Sequence, residues 1–132
     1  MKDRFLFRVW DKVRKEYDYS PYGENALTEN GELFWIENSS DRSEVNEEYF
    51  TVEQCTGLKD KDGKLIYEGD IVKLDGYGVC QVIWSDDTSE FMFKNLNEDL
   101  REHVDTMLMY DWEVVNTIHE KKYWRQFLKN NK

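Results

Sequence analysis

Residues 54–72, QCTGLKDKDGKLIYEGDIV, carry the strongest signal for the fold of this chain. Their glycines and aspartates favour tight turns, because glycine adopts positive φ freely and an aspartate carboxylate can bond nearby backbone N–H groups. The apolar residues between these turns fall in short runs that are typical of strands. The turn residues are Gly57, Asp62, Gly63, Gly69 and Asp70, and the core side chains are Ile66, Tyr67, Ile71 and Val72. The stretch therefore predicts a corner of a compact β scaffold.

The residues that follow predict more short strands with tight turns between them. The turn dipeptides Glu68-Gly69 and Asp75-Gly76 and the polar run 85–88 separate successive apolar segments. Short strands, tight turns and a strongly aromatic interior suit a sheet that curls on itself, so we expect a small closed or half-closed barrel. The expected strands are 65–67, 70–74, 78–84, 89–94 and 107–118, the last with a break near Asp111.

The sequence before residue 54 predicts a separate β segment. Alternation at Phe5, Phe7 and Val9 predicts a strand that ends at Trp10 and forms a hairpin with a second strand at 17–19. Turn residues dominate 20–32, where Asn30-Gly31 favours a hairpin, and a short apolar run follows at 33–36. Residues 37–48 are polar and acidic, and we expect an exposed loop there.

Two helices are expected as well. Asn97 is a suitable N-cap, and apolar residues recur at helical spacing from Leu100 to Leu108, which predicts a short helix at 97–105. Near the C-terminus, apolar residues that share one face predict an amphipathic helix at about 119–129. The predicted organisation is an N-terminal β segment with an acidic loop (1–56), a β-barrel domain (57–120) and a basic C-terminal helix (121–132).

Composition limits the class of protein. The 132 residues are 39% hydrophobic and 15% aromatic, so the chain can bury a core and is not expected to be disordered. No apolar run approaches the ~18 residues of a membrane-spanning helix, and the N-terminus lacks the features of a signal peptide. Cys55 and Cys80 show no disulfide or zinc pattern, so we expect buried thiols in a reducing cytoplasm.

The net charge of −10 is distributed unevenly, with basic termini and an acidic body. A globally acidic surface repels phosphate backbones, which disfavours broad nonspecific DNA binding but leaves a local basic patch open. The candidate binding residues are cations and rings near the two ends: Arg4, Arg8, Trp10, Lys122, Trp124 and Arg125. For both ends the favoured interpretation is packing, with the N-terminal strand in a sheet that has one solvated face and the C-terminal helix docked on a core.

No residue pattern indicates catalysis or a metal site. The acidic cluster around Asp60 and Asp62 fails the spacing of an EF-hand loop, because glycine follows the second aspartate directly. Turn chemistry explains Asp62-Gly63 better, with weak adventitious binding of a divalent ion as the alternative. The two cysteines and two histidines show no catalytic pattern either. We therefore expect no enzymatic activity, no metal and no cofactor.

The stretch 54–72 closely resembles the central motif of the YopX family, small proteins of bacteriophages and prophages. Arg8-Val9-Trp10-Asp11 is similar to the family's opening, and residues 113–120 are similar to its closing strand. Cys55 and His119 depart from the aromatic residues that are common there. The family-motif residues with structural roles are Gln54, Thr56, Gly57, Asp62, Gly63, Tyr67, Glu68, Gly69 and Asp70.

The resemblance implies an SH3-like barrel at roughly 57–120, an N-terminal β segment and a homo-oligomer, and it brings no established activity. We therefore expect a mainly β, phage-derived, cytoplasmic interaction module that binds protein, self-associates and meets a basic host or phage protein with its acidic body. Two alternatives stay open. One is nucleic-acid binding through the basic termini, and the other is an acidic DNA mimic that inhibits a host protein.

Overall fold

The computed structural model describes residues 6–18, 24–27, 32–36, 42–44, 48–98 and 100–120. These residues form twelve strands and one turn of 3-10 helix, so the prediction of a mainly β protein is confirmed. The strands are β1 (Phe7–Asp11), β2 (Glu16–Tyr17), β3 (Glu24–Leu27), β4 (Leu33–Ile36), β5 (Arg42–Glu44), β6 (Phe50–Lys59), β7 (Leu65–Tyr67), β8 (Asp70–Leu74), β9 (Gly78–Ser85), β10 (Glu90–Asn95), β11 (Arg101–His103) and β12 (Trp112–Thr117). The chain divides into two compact units, one of residues 7–53 and one of residues 1–6 with 54–132.

The unit of residues 7–53 contains the predicted hairpin, in which β1 and β2 pair antiparallel with Trp10 opposite Tyr17. A three-stranded antiparallel meander follows, in the order β3-β4-β5. The exposed loop predicted at 37–48 is therefore wrong in part, because β5 lies within it. Strand β5 pairs with β4 along its length, and this backbone pairing does not require the alternating apolar pattern that sequence reasoning looks for.

The second unit is built on a five-stranded antiparallel sheet in the order β11-β10-β9-β8-β12, which curls into a half-barrel. In the same unit, the last residues of β6 pair with β7, with a register shift between Cys55 and Lys59. Gly57, which was predicted to lie in a turn, lies instead within β6 at this shift, with φ +83°, a backbone conformation that favours glycine.

The core of the half-barrel is apolar and aromatic. Phe93 and Trp112 meet edge to face with ring centroids 5.2 Å apart. Cys55 and Cys80 are buried free thiols, and burial raises the pKa of Cys80 to about 12, so this thiol stays protonated at neutral pH. The buried core side chains are Ile66, Val72, Leu74, Cys80, Val82, Phe93, Met107 and Trp112.

The short helix predicted at 97–105 is wrong. The Asn95 side chain accepts hydrogen bonds from the N–H groups of Asn97 and Glu98, at 2.8 and 3.0 Å, and turns the chain back. Residues 101–103 then pair with β10 as β11, and Val104–Met107 forms the 3-10 turn. Pairing with the edge of β10 satisfies the backbone groups that a helix would have bonded internally, so the tertiary context overrides the helical spacing.

The C-terminal helix predicted at about 119–129 lies almost wholly outside the described residues, which show Ile118 and His119 in a turn. Among the residues that the structure does describe, no helix is long and apolar enough to cross a membrane.

Candidate functional site

The turn of residues 60–64, between β6 and β7, is organised by the buried carboxylate of Asp60. One oxygen, Oδ1, accepts the N–H groups of Asp62 and Lys64 at 2.9 and 2.8 Å. The other, Oδ2, accepts the N–H of Val114 on β12 at 3.0 Å. Asp60 is only 8% exposed, so it joins the turn to a strand 54 residues away in sequence through bonds that water cannot readily replace.

These hydrogen bonds determine the charge state of Asp60. Burial by itself would raise the pKa of the carboxyl group, because it disfavours the charged form. The three backbone N–H donors, helped by the charge of Lys64, outweigh that effect and hold the pKa below its ordinary value. Asp60 is therefore a structural carboxylate that is ionised at neutral pH.

Lys61 adds a second attachment between the turn and β12. Its N–H donates to the carbonyl oxygen of Trp112 at 2.9 Å, and its Nζ lies 3.8 Å from Oε2 of Glu113. Because β12 pairs with β8 on its other side, the turn covers part of the remaining edge of β12. An edge covered in this way is a poor template for an added strand.

A shallow cleft of about 210 Å³ lies where this turn faces the segment that leads into β12. The Trp112 ring is held in place because its Nε1 donates to the carbonyl oxygen of Met107 at 2.9 Å. Tyr110 packs against Tyr77 with ring centroids 5.6 Å apart. The cleft is lined by Lys59, Asp60, Lys61, Leu108, Tyr110, Asp111 and Trp112.

The segment after the 3-10 turn presents large apolar side chains to solvent. Leu108 lines the cleft and is 67% exposed, and its neighbour Met109 is 79% exposed. The carboxylates of Asp105 and Asp111 flank this pair in sequence, and both residues are exposed. Two adjacent exposed apolar side chains between acids are costly to leave in water, and methionine adapts its shape readily to a partner.

Sequence reasoning missed both halves of this site. It assigned Leu108 to a helix face and Met107 to Ile118 to a strand, whereas Met107 is buried and the next two side chains point outward. It also gave the turn carboxylate to Asp62, which is exposed, rather than to Asp60. An Asp followed by Gly is a strong local turn signal, and nothing in the sequence marks the bond from Asp60 to Val114.

The remaining family-motif residues shape the backbone around β6 and β7. The Thr56 hydroxyl donates to the carbonyl oxygen of Ile66 at 2.7 Å. The N–H of Glu68 donates to the carbonyl oxygen of Gln54 at 2.9 Å. The Asp70 carboxylate accepts the N–H of Tyr67 at 2.7 Å. Positive φ angles of +83°, +82° and +90° occur at Gly57, Gly63 and Gly69.

The predicted binding residues Arg8 and Trp10 lie in the unit of residues 7–53. The Nε of Arg8 is 2.8 Å from Oε1 of Glu53, and its guanidinium lies 4.5 Å from the centroid of the Tyr17 ring. Trp10 is 8% exposed and meets Tyr17 edge to face. The other predicted binding residues, Arg4, Lys122, Trp124 and Arg125, lie outside the described residues.

Titratable side chains also form pairs elsewhere in the described part of the second unit. His103 on β11 bonds Glu90 on β10 through its Nδ1, which raises the pKa of the histidine and lowers that of the glutamate. The pair is exposed. Over the described residues, no three His, Cys, Asp or Glu side chains lie close enough together to hold a metal ion.

The fold and the cleft together define a small, mainly β protein with a curled half-barrel. Its cleft is bordered by the turn of residues 60–64. The sequence profile of the YopX family, described as "YopX protein", matches residues 6–122, and the chain belongs to this family.

Two solved structures have similar folds. Protein yopX from Bacillus subtilis superposes with a TM-score of 0.61 at 20% identity, over 91% of this chain and 97% of that chain. Protein EF1440 from Enterococcus faecalis superposes with a TM-score of 0.56 at 20% identity, over 90% of this chain and 97% of that chain. No curated protein matches the sequence.

Proposed function

We propose that this chain is a non-enzymatic, phage-derived interaction module whose cleft binds a segment of a basic protein partner. The observation that carries the proposal is the exposure of Leu108 and Met109 beside the cleft. Exposed apolar side chains that are grouped and rimmed by polar residues mark interaction surfaces more often than single ones do.

The charge around the cleft favours a basic partner. Asp105 and Asp111 flank the apolar pair, and the chain as a whole carries a net charge of −10. Of the two lysines that line the cleft wall, Lys61 is already paired with Glu113. An acidic surface around the cleft accelerates association with a basic protein and disfavours nucleic acid at this face, so the cleft suits a protein segment that carries Lys or Arg beside an apolar side chain.

The mode of binding follows from the covered edge of β12. Because the turn of residues 60–64 already bonds Trp112 and Val114, a partner cannot readily add a strand there. Insertion of an apolar side chain between Tyr110 and Leu108 remains available. We propose this insertion as the main contact, with the acids contributing to rate and orientation.

We also propose a specific fold for the second unit. Short antiparallel strands that curl around one aromatic core support an SH3-like barrel at 57–120, with 1–56 and 121–132 as flanking segments.

We further propose that the chain self-associates in the cytoplasm of a bacterial host. Light scattering on the purified chain is expected to give a mass above the 16.0 kDa of one copy, and a clean monomer at high concentration would contradict self-association.

Selection of short peptides from a random library tests the cleft directly. We expect enriched peptides to carry an aliphatic or aromatic residue beside Lys or Arg. Leu108→Ser with Met109→Ser should weaken their binding about tenfold or more, the loss typical of a central contact. Leu100→Ser is the matched control, because Leu100 is 48% exposed in the same unit but does not line the cleft.

The outcomes separate the alternatives. Equal losses in the cleft variant and in the Leu100 control would refute the cleft as the binding surface. Failure to enrich any peptide would refute the peptide-binding function. If a DNA-binding protein were bound instead and DNA displaced the chain from it, the result would favour a DNA mimic.

A further inference from the structure

The connection between β1 and β2, residues 12–15, forms a hairpin tip that no part of the proposed function uses. It presents the cations Lys12, Arg14 and Lys15, all exposed, within four consecutive residues. Val13 stands among them and is 69% exposed. The tip is thus locally cationic in a chain that is acidic overall.

The backbone of the tip is held by internal bonds. The Oδ1 of Asp11 accepts the N–H groups of Val13 and Arg14 at 2.9 and 3.0 Å, and the N–H of Lys15 donates to the Asp11 carbonyl oxygen at 2.8 Å. Lys15 occupies the left-handed region with φ +57°. The Asp11 carboxylate is thus occupied mainly with the backbone, and its Oδ2 lies 3.9 Å from the Nε of Arg14.

The base of the hairpin is also anchored within its own unit. The N–H of Lys12 donates to the carbonyl oxygen of Tyr49 at 2.9 Å, and that of Asp18 donates to the carbonyl oxygen of Val9. Between the strands, the rings of Trp10 and Tyr17 lie 5.0 Å apart, edge to face. The cations therefore lie on a turn whose backbone is already ordered, and this lowers the entropic cost of binding.

We propose that the hairpin tip, through Lys12, Arg14 and Lys15, contacts the phosphate backbone of a nucleic acid. Charge complementarity carries the proposal, because three neighbouring cations can each neutralise a phosphate and release its counterions. Arg8 and Trp10, which the sequence suggested for this role, face Glu53 and Tyr17 instead. The contact is independent of the cleft and of any protein partner.

Fluorescence anisotropy of the full chain with a labelled DNA duplex, across a range of salt concentrations, tests this directly. Three phosphate contacts predict a log–log salt slope of about −2.7, or about 40-fold weaker binding between ~50 and ~200 mM salt. The triple variant Lys12→Gln, Arg14→Gln, Lys15→Asn should bind at least about tenfold more weakly at the lower salt concentration, with a slope near zero. Asparagine is chosen at position 15 because it tolerates positive φ.

The matched control is Lys64→Gln, Lys73→Gln, Arg101→Gln, which removes three exposed cations from the other unit and leaves the same net charge as the tip variant. It should bind duplex like the unchanged chain, and circular dichroism should show that both variants fold. Equal losses in the two variants would overturn the proposal, as would the absence of duplex binding at low salt. Binding to phosphatidylserine vesicles in place of DNA would also overturn it, by assigning the tip to a lipid surface.

Discussion

The turn of residues 60–64 and the hairpin tip of residues 12–15 are built on the same local chemistry. In each turn an aspartate at the start accepts two backbone N–H groups with one carboxylate oxygen, and a residue with positive φ follows. They differ in the second oxygen, which for Asp60 bonds Val114 on a distant strand and for Asp11 faces the exposed Arg14 side chain. The comparison shows that similar local motifs can either close a core or support an exposed surface.

The largest expected difference is in stability. Asp60→Ala removes the partner of three backbone N–H groups, one of them on β12, and should cost about 3 kcal/mol of unfolding free energy. Urea denaturation measures it. Asp62→Ala is the control, because Asp62 lies in the same turn, next to Gly63, and is exposed. This replacement should change the free energy of unfolding by less than about 0.5 kcal/mol. Equal losses would mean that the turn is held locally and that the bond to Val114 contributes nothing.

The two turns also differ in the residue that adopts positive φ, and substitutions there should change stability to different extents. Gly63→Ala should destabilise the protein by about 1 to 2 kcal/mol, because φ is +82° and an added Cβ meets no atom within 4 Å, so the cost is one of backbone conformation alone. Lys15→Gly, at φ +57°, should stay within about 0.5 kcal/mol, because relief of strain offsets the added freedom of the unfolded chain. Thermal unfolding of both variants checks the pair, and a neutral Gly63→Ala would contradict the assignment.

Asp11→Ala should have a smaller and more local effect than Asp60→Ala. The two N–H groups that it releases, those of Val13 and Arg14, are exposed, so water replaces most of the loss and the expected cost is about 1 kcal/mol. Hydrogen exchange should become faster at these two amides and stay unchanged on β12. Faster exchange throughout β12 would show that the two turns are not independent.

The smallest expected effect is on the acid side of the stability curve. The pKa of Asp60 is lowered on folding, so its ionised form contributes stability that is present above the unfolded value of 3.8 and is lost as pH falls through the folded pKa. The free energy of unfolding, measured from neutral to strongly acidic pH, should fall less steeply for Asp60→Asn than for the unchanged chain. An identical acid limb in both proteins would show that the carboxylate titrates alike folded and unfolded.

Local patterns in the sequence predicted most of the strands, and the reasons are local. The order of β7 to β10 follows from short apolar runs and from Gly or Asp turns, and the β1–β2 hairpin follows from alternation. The helical spacing around Leu100 was wrong because the edge of β10 offered a better set of backbone partners. Strand β5 was missed because an edge strand of three residues carries almost no side-chain pattern.

The candidate site was harder to predict than the fold. Exposed Leu108 and Met109 look like core residues in the sequence, since an apolar side chain carries no mark of whether a neighbour will cover it. In the sequence, Arg8 and Trp10 looked like surface groups of a strand. In the structure, Arg8 bonds Glu53, which is 45 residues away in the chain, and Trp10 lies opposite Tyr17 in the hairpin.

Local sequence patterns were enough to identify this chain as a mainly β member of the YopX family with turns at Gly63, Gly69 and Gly76, because strand alternation and positive φ are properties of a few neighbouring residues. The sequence did not indicate which aspartate closes the central turn, which apolar side chains stay in water or which cations are already paired. These outcomes depend on contacts between residues far apart in the chain, such as Asp60 with Val114 and Arg8 with Glu53, and the energy of such a contact exists only once the fold has brought its partners together.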